Sequence, residues 1–268
     1  YHAELVEEST SKQGIVVAIA NQKGGVGKST TAINLGAALA TAGERVLLID
    51  TDPQANATSG LGFTRGDIEH TIYEVLTSDL PLEEAVEPTR VKDLFLIPSS
   101  IDLAGAEIEL VARFARERQL VKALDGATSR YDTVIIDCPP SLGLITVNAL
   151  TAADEVIIPI QCEYYALEGL TQLLRNIALI QSNLNPRLKI EGVVLTMYTR
   201  RTKLAADVVA QVRDHFGDQA YETVIPRTVR LAEAPSYGEP IEAFDPASRG
   251  AQAYRDLAAE FRRRHARA

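Results

Sequence analysis

The segment IVVAIANQKGGVGKSTT, residues 15–31, constrains the fold of this chain more than any other. Ile15 to Ala20 form an unbroken apolar run, the pattern of a strand covered on both faces. A glycine-rich turn follows at once, and a helical pattern begins near Lys28. Gly24, Gly25 and Gly27 permit backbone angles that turn the N–H groups of Gly24, Gly25, Val26 and Gly27 inward around an anion. The first turn of the helix adds unpaired N–H groups and the positive end of its dipole. Lys28 is spaced to reach the β- and γ-phosphates of a nucleotide, Ser29 to place its hydroxyl on Mg2+, and Thr30 to donate toward the α-phosphate. The general pattern G-x-x-x-x-G-K-[ST] asks for Gly where this chain has Gln22, so the match is to a GGVGKS core. The plainer alternative, a glycine-rich turn capping an ordinary helix, does not account for strand, glycines, Lys-Ser and helix together.

Similar apolar runs recur at 45–50, 94–98, 133–138, 155–160 and 190–196, with a further candidate at 221–225. Helical patterns at 28–42, 104–124, 142–152, 166–183, 203–215 and 247–265 separate or follow them. This alternation predicts a doubly wound α/β fold, a mostly parallel β-sheet flanked by helices. Residues 1–14 read as a flexible, polar arm, and 15–268 as a single domain. In such sheets ligands bind beyond the carboxyl ends of the strands. The carboxylates follow that rule. Asp50 and Asp52 close the run LLIDTD, with Asp50, nearer the strand, read as structural. Gln54 and Asn56 follow as turn formers or as contacts to phosphate. Asp137 ends VIID, the arrangement that holds Mg2+, with Pro139 and Pro140 stopping the strand. The competing reading of Asp137 is a helix cap near 141. Only two cysteines are present, Cys138 and Cys162, which suits a reducing cytosol and small buried residues. No apolar run reaches the ~18 residues of a membrane span.

The loop carries a second lysine, Lys23, just before its glycines, and the form KGGVGKS resembles the deviant Walker A motif of the ParA/Soj family of DNA-partitioning ATPases. The resemblance runs from about residue 15 to residue 264, through LLIDTDPQANATSGLG, IPSSIDLAGAEIEL, IIDCPPSLGLITVNALTAAD, PIQCEYYALEGL and VIPRTVRLAEAPSYGEPI. It implies an ATPase of weak basal activity that takes ATP and Mg2+ and closes as an ATP-bound sandwich homodimer. It implies that Lys23 reaches the partner subunit's nucleotide, that Asp52 orients the attacking water, and that Pro226 and Thr228 frame the adenine. The dimer is expected to bind double-stranded DNA non-specifically and to be released by a ParB/Spo0J-type protein. The family's DNA-binding arginines match Arg201 and Arg230, with Arg200, Lys203 and Arg227 close by in sequence. A cytoplasmic, nucleoid-associated protein of the short form is expected, since about 14 residues precede the first strand.

A formal net charge of −9 runs against a nucleic-acid binder, so DNA contact requires a local basic patch. About three phosphate contacts per subunit, doubled in a dimer, give a loss of roughly 10³ in affinity between 50 and 200 mM salt. The rival readings share the fold. A MinD-like membrane ATPase needs an insertable C-terminal amphipathic helix. AYRDLAAEFRRRHARA reads instead as a docked helix with a frayed basic end and no role at a membrane. An iron–sulfur dimer resembling nitrogenase iron protein needs Cys138 and Cys162 as ligands. A cobyrinate- or biotin-pathway ligase needs a substrate insertion, which the chain does not show. A nucleotide-gated scaffold has no use for Asp52.

Overall fold

The computed structural model describes residues 14–163 and 170–266. In chain order the strands are β1 (Ile15–Ile19), β2 (Val46–Asp50), β3 (Glu87–Pro88), β4 (Leu94–Ile97), β5 (Thr133–Asp137), β6 (Glu155–Gln161), β7 (Lys189–Tyr198) and β8 (Ala220–Pro226). The helices are α1 (Lys28–Thr41), α2 (Asn56–Gly60), α3 (Ile72–Thr77), α4 (Leu103–Val111), α5 (Gln119–Leu124), α6 (Leu144–Ala152), α7 (Leu170–Asn183), α8 (Lys203–Phe216), α9 (Val229–Glu233), α10 (Ile241–Phe244) and α11 (Arg249–His265).

The strands form one sheet in the order β3-β4-β2-β5-β1-β6-β7-β8. Every pairing is parallel except β3 with β4. Each central strand alternates between two apolar layers: Val16 and Ala18 pack with α3 to α8, Val17 and Ile19 with α1 and α11. Burial on both sides is why these strands read as unbroken apolar runs. The expected doubly wound sheet is therefore the fold.

Two expectations need correction. The single helix at 104–124 is two helices, α4 and α5, parted by Ala115 in the left-handed region (φ 50°) and a 3-10 turn at Arg116–Arg118. Asn148 of α6 holds the chain just after the break, donating to the Arg116 carbonyl (2.7 Å) and accepting from the Leu120 N–H (3.1 Å). The basic end of the last helix is not frayed as far as His265. Arg264 donates to the carbonyls of Glu191 and Ala220 (both 3.2 Å) and to Glu260 (3.1 Å), and His265 bonds Glu155 (2.8 Å). Of the expected N-terminal arm only Gly14 lies among the described residues, and its N–H donates to the Thr128 carbonyl. Residues 166–169 of the expected helix at 166–183 lie outside them.

Helix α11 docks through Tyr254, Leu257 and Phe261, all buried. Glu260 adds a polar anchor: it accepts from the Glu222 and Thr223 N–H groups and the Thr223 hydroxyl at 2.7–2.9 Å. Burial would raise this carboxyl, but those four donors, Arg264 included, outweigh it and hold its pKa below the ordinary value. Glu260→Ala strands the two N–H groups and the Arg264 guanidinium, and is expected to cost about 3 kcal/mol, read by urea unfolding. A depressed carboxylate stabilises above its unfolded pKa, so in the unsubstituted protein this contribution is lost as pH falls through the lowered folded value. The Glu260→Ala protein should show a correspondingly shallower acid transition.

Candidate functional site

Register brings the acidic residues together. Ile19 lies beside Asp137 across β1 and β5, and Asp50 lies beside Asp137 across β2 and β5. The glycine loop, the Asp50–Asp52 corner and Asp137 thus leave adjacent strands at one end of the sheet. Thr51 ties two of them, its N–H and hydroxyl both donating to the Asp137 carbonyl (3.0 and 2.7 Å).

The loop is held open by its neighbours. Gly25 (φ 73°) and Gly27 (φ 89°) take left-handed backbone angles that side chains disfavour. Asn21 accepts from the Lys23 N–H (3.0 Å) and donates to the Pro159 carbonyl (2.7 Å), fixing the entry to the loop. The Thr196 hydroxyl donates to the Val26 carbonyl (2.8 Å), fixing the exit. Thr196 was not singled out in the sequence, although its place at the end of β7 is where such a sheet collects ligand-side residues. Ser29 and Thr30 lie in the first turn of α1, half-buried.

Lys28 is buried at 6% exposure, its ammonium 3.3 Å from the Lys23 carbonyl. Burial lowers its pKa, opposed by the charges of Asp137 and Asp52. Lys23 itself is exposed, and its ammonium lies 3.7 Å from Glu163.

The three aspartates differ in their partners. Asp50 is fully buried and satisfied, accepting from the Asp52 N–H, the Thr58 N–H and the Thr58 hydroxyl at 2.7–3.0 Å. Burial nonetheless pushes it up to about 6 against those bonds. It braces the corner, as its place next to the strand suggested. Asp52 keeps one oxygen on the Gln54 N–H (3.0 Å), so Gln54 shapes the turn. Asp137 is fully buried, and neither carboxylate oxygen meets hydrogen-bond geometry with any described residue. Burial and the Asp50 charge raise its pKa well above the ordinary range, while the nearby Ser29 hydroxyl and Lys28 pull the other way. Asp137 caps no helix: α6 starts at Leu144 after Gly143. A buried, unpartnered carboxylate beside a hydroxyl is a donor set that fits a hard divalent cation.

Next to the loop, a cavity of about 520 Å³ is lined by Gly27, Thr30, Ile225, Pro226, Thr228 and Tyr254, among others. Its walls are mainly apolar, with the Thr228 side chain capping α9 through the Leu231 N–H (3.2 Å). Tyr254, from the last helix, is a lining residue that local sequence patterns do not flag, because 223 residues separate it from Thr31, whose hydroxyl it meets at 3.4 Å.

The expected DNA-contact residues fall in two classes. Arg200, Arg201, Lys203 and Arg227 are exposed at the ends of β7 and β8, joined by the Arg227 N–H donating to the Tyr198 carbonyl (3.0 Å). Among the described residues none of the four has a carboxylate partner, whereas Arg230 is held by Glu233 (3.2 Å) and Asp245 (3.1 Å) and lies over the Phe244 ring. Both cysteines are buried, with Cys162 pushed up to about 11 and Cys138 also raised by burial.

The AAA domain family matches residues 14–190 of the chain. Over 247 residues it is 57% identical to the sporulation initiation inhibitor protein Soj of Bacillus subtilis (strain 168), spanning 92% of this chain and 98% of that one. Identity is 52% over 258 residues to the chromosome partitioning protein ParA of Myxococcus xanthus, spanning 96% and 91%. Among solved structures, cobyrinic acid a,c-diamide synthase from Mycobacterium smegmatis with bound ATP analog and magnesium matches with a TM-score of 0.81 and 42% identity, over 92% and 93% of the two chains. The fold is thus common to proteins of different duties, but the Soj and ParA sequences align at higher identity over nearly their whole lengths. Together with the second lysine of the loop, this places the chain in the ParA/Soj family of partitioning ATPases.

Proposed function

We propose that this chain hydrolyses ATP to switch between a monomer and an ATP-bound sandwich homodimer. In this reading the dimer binds double-stranded DNA without sequence preference on the nucleoid, and a ParB/Spo0J-type protein releases it by stimulating hydrolysis. The observation that carries the reading is the division of labour between the two loop lysines. Lys28 is buried beside Asp137 and Asp52, and Lys23 is left exposed at the loop surface, where its ammonium has a long contact to Glu163 among the described residues. A second, exposed cation next to a phosphate loop suits contact with a nucleotide held by another subunit, as an arginine finger supplies charge in trans.

Each residue then has a task that its surroundings support. The N–H groups of Gly24 to Gly27, with Lys28, bind the phosphates, and the lowered Lys28 pKa rises again when anionic oxygens arrive. Ser29 and Asp137 hold Mg2+, which when bound neutralises charge on the β- and γ-phosphates. Asp52 orients the attacking water, a positioning role. Thr30, Pro226 and Thr228 line the space for the nucleoside. A MinD-like membrane role is disfavoured by α11, whose apolar residues Tyr254, Leu257 and Phe261 are committed to the core. Among the described residues no helix is long and apolar enough to cross a membrane.

Two results are expected. Lys28→Ala should weaken ATP binding about 30-fold or more, the equivalent of ~2 kcal/mol for charge-assisted bonds. Asp52→Ala should keep ATP and DNA binding while kcat falls by roughly 10²–10⁴. Fluorescent-nucleotide titration and phosphate release measure the two. Loss of dimerisation in Asp52→Ala would contradict its assigned role. For DNA, Arg201→Ala and Arg227→Ala should each reduce the slope of log affinity against log salt by about 2 per dimer. Arg230→Ala should change it less, because its charge is already paired. Equal slopes for all three, with ATP hydrolysis intact, would remove this patch from the DNA contact.

A further inference from the structure

At the amino-terminal edge of the sheet, away from the nucleotide face, three ligand-capable side chains from three elements converge. Glu155 opens β6, Glu191 lies near the start of β7, and His265 ends α11. One ligand atom from each lies within 4.8 Å of the others, and His265 Nε2 is 2.8 Å from Glu155 Oε2.

Several features of the chain aim these groups at one point. Glu191 is the extra residue of a β-bulge, since Val156 pairs with Ile190 and Ile157 with Gly192. A bulge re-aims a side chain that regular pairing would point elsewhere. A Cβ at residue 192 would stand 2.7 Å from the Tyr221 ring, so glycine there lets the ring lie against the strand. The Tyr221 hydroxyl then donates to Glu191 Oε1 (2.8 Å). Glu191 Oε2 has no hydrogen-bond partner among the described residues. On the histidine, Nδ1 is 2.7 Å from the Phe261 carbonyl, which can only accept, so Nδ1 carries a proton. Nε2, 2.8 Å from a Glu155 oxygen that likewise can only accept, also carries a proton in the ion-free protein, and loss of that proton exposes its lone pair toward the carboxylates. Metal-binding histidines and carboxylates are oriented by outer partners of this kind. Arg264, the neighbouring cation, is satisfied by two carbonyls and Glu260 at 3.1–3.2 Å and stands 3.7 Å from Glu191 Oε1.

We propose that Glu155, Glu191 and His265 form a binding site for a borderline divalent transition-metal ion, Zn2+ in the first instance, which staples the C-terminal helix to the amino-terminal edge of the sheet. One imidazole and two carboxylates suit Zn2+, whereas Mg2+ prefers six oxygens in near-octahedral array. Side-chain exposures of 22% for His265, 15% for Glu155 and 13% for Glu191 leave a path for the ion and a fourth, water ligand. Bonds of ~2.1 Å in a tetrahedron put ligand atoms about 3.4 Å apart, so the His265–Glu155 pair opens slightly and Glu191 closes in. When the ring is protonated, Nε2–H bonds Glu155, and the ion displaces that proton to solvent, one per ion bound.

The test uses the full chain without a histidine tag, freed of nucleotide and Mg2+. ZnCl2 is titrated calorimetrically at about pH 6 in two buffers of different protonation heat, with thermal melting alongside. The expected result is one Zn2+ per chain, about one proton released per ion, a raised melting temperature, and no such effect from MgCl2. His265→Gln and Glu191→Gln should each lose tenfold or more in affinity, and Tyr221→Phe, which removes one oxygen, about tenfold. Lys28→Ala should bind Zn2+ as the unsubstituted protein does, which separates this site from the nucleotide site. No Zn2+ binding by the folded protein, or undiminished binding in Glu191→Gln and Tyr221→Phe, would overturn the proposal. Circular dichroism establishes that each variant is folded, and Tyr221→Phe serves should His265→Gln unfold.

Discussion

The site depends on a concentration of negative charge that the fold cannot relieve by itself. Register places Asp137 between the ends of β1 and β2, fully buried, with Asp50 beside it and both its oxygens without a hydrogen-bond partner among the described residues. A buried carboxylate in that condition either takes up a proton or acquires a cation. Lys28 opposes the charge only in part, since burial has weakened its own hold on a proton. The neighbouring residues are arranged so that the deficit stays at Asp137. Asp50 takes all the donors of its corner, and Asp52 keeps one oxygen on the Gln54 N–H. Asp50 is thus satisfied within its corner, whereas Asp137 meets no hydrogen-bond partner among the described residues.

Central elements of the fold were legible because their information is local. An apolar run buried on both faces, or a glycine loop entering a helix, is written in consecutive residues, and β1, β2, β5 and α1 fell where those patterns placed them. The phosphate loop and the acidic corners followed from the same rule about strand ends. What was missed is tertiary. The break between α4 and α5, at a left-handed Ala115, is held by Asn148, about thirty residues away, which bonds Arg116 and Leu120 just after it. The wall of the cavity contributed by Tyr254 and the brace from Thr196 arrive across the whole domain. The basic C-terminus looked like a solvated end because charge runs usually are, yet Glu155, Glu191 and Glu260 come from distant strands and from the helix itself to receive Arg264 and His265.

The two ends of the sheet therefore differ in kind. Its carboxyl edge gathers glycine, lysine and aspartate around an unmet charge, whereas its amino edge balances glutamates against Arg264 and His265. Helix α11 joins them, lending Tyr254 to the cavity wall near one edge and His265 to the cluster at the other. Its intervening turns are buried against the strands, so its C-terminus has a packed route toward the cavity beside the glycine loop. Coupling along that route requires two discrete positions of the helix, and the rigid anchoring by Glu260 argues that any shift is small.

An acidic protein can bind DNA only if its basic residues are few, grouped and uncompensated. Arg200, Arg201, Lys203 and Arg227 meet that condition among the described residues, because β7 and β8 end side by side and none of the four has a carboxylate partner there. The remaining charge is less of an obstacle than the total of −9 suggests, since repulsion from a carboxylate more than about 8 Å from the duplex is largely screened at physiological salt. One such patch is too small to hold a duplex firmly, whereas two held by one dimer act as a bivalent surface whose affinity rises without any new contact. The patch begins at the strand end that carries Thr196 and Pro226, beside the loop and the cavity. An event at the nucleotide is thus only a few residues removed from the residues that would touch phosphate. Under the proposed switch the nucleotide would not need to reshape the basic patch at all; it would be sufficient that it decided whether one copy of the patch is presented or two.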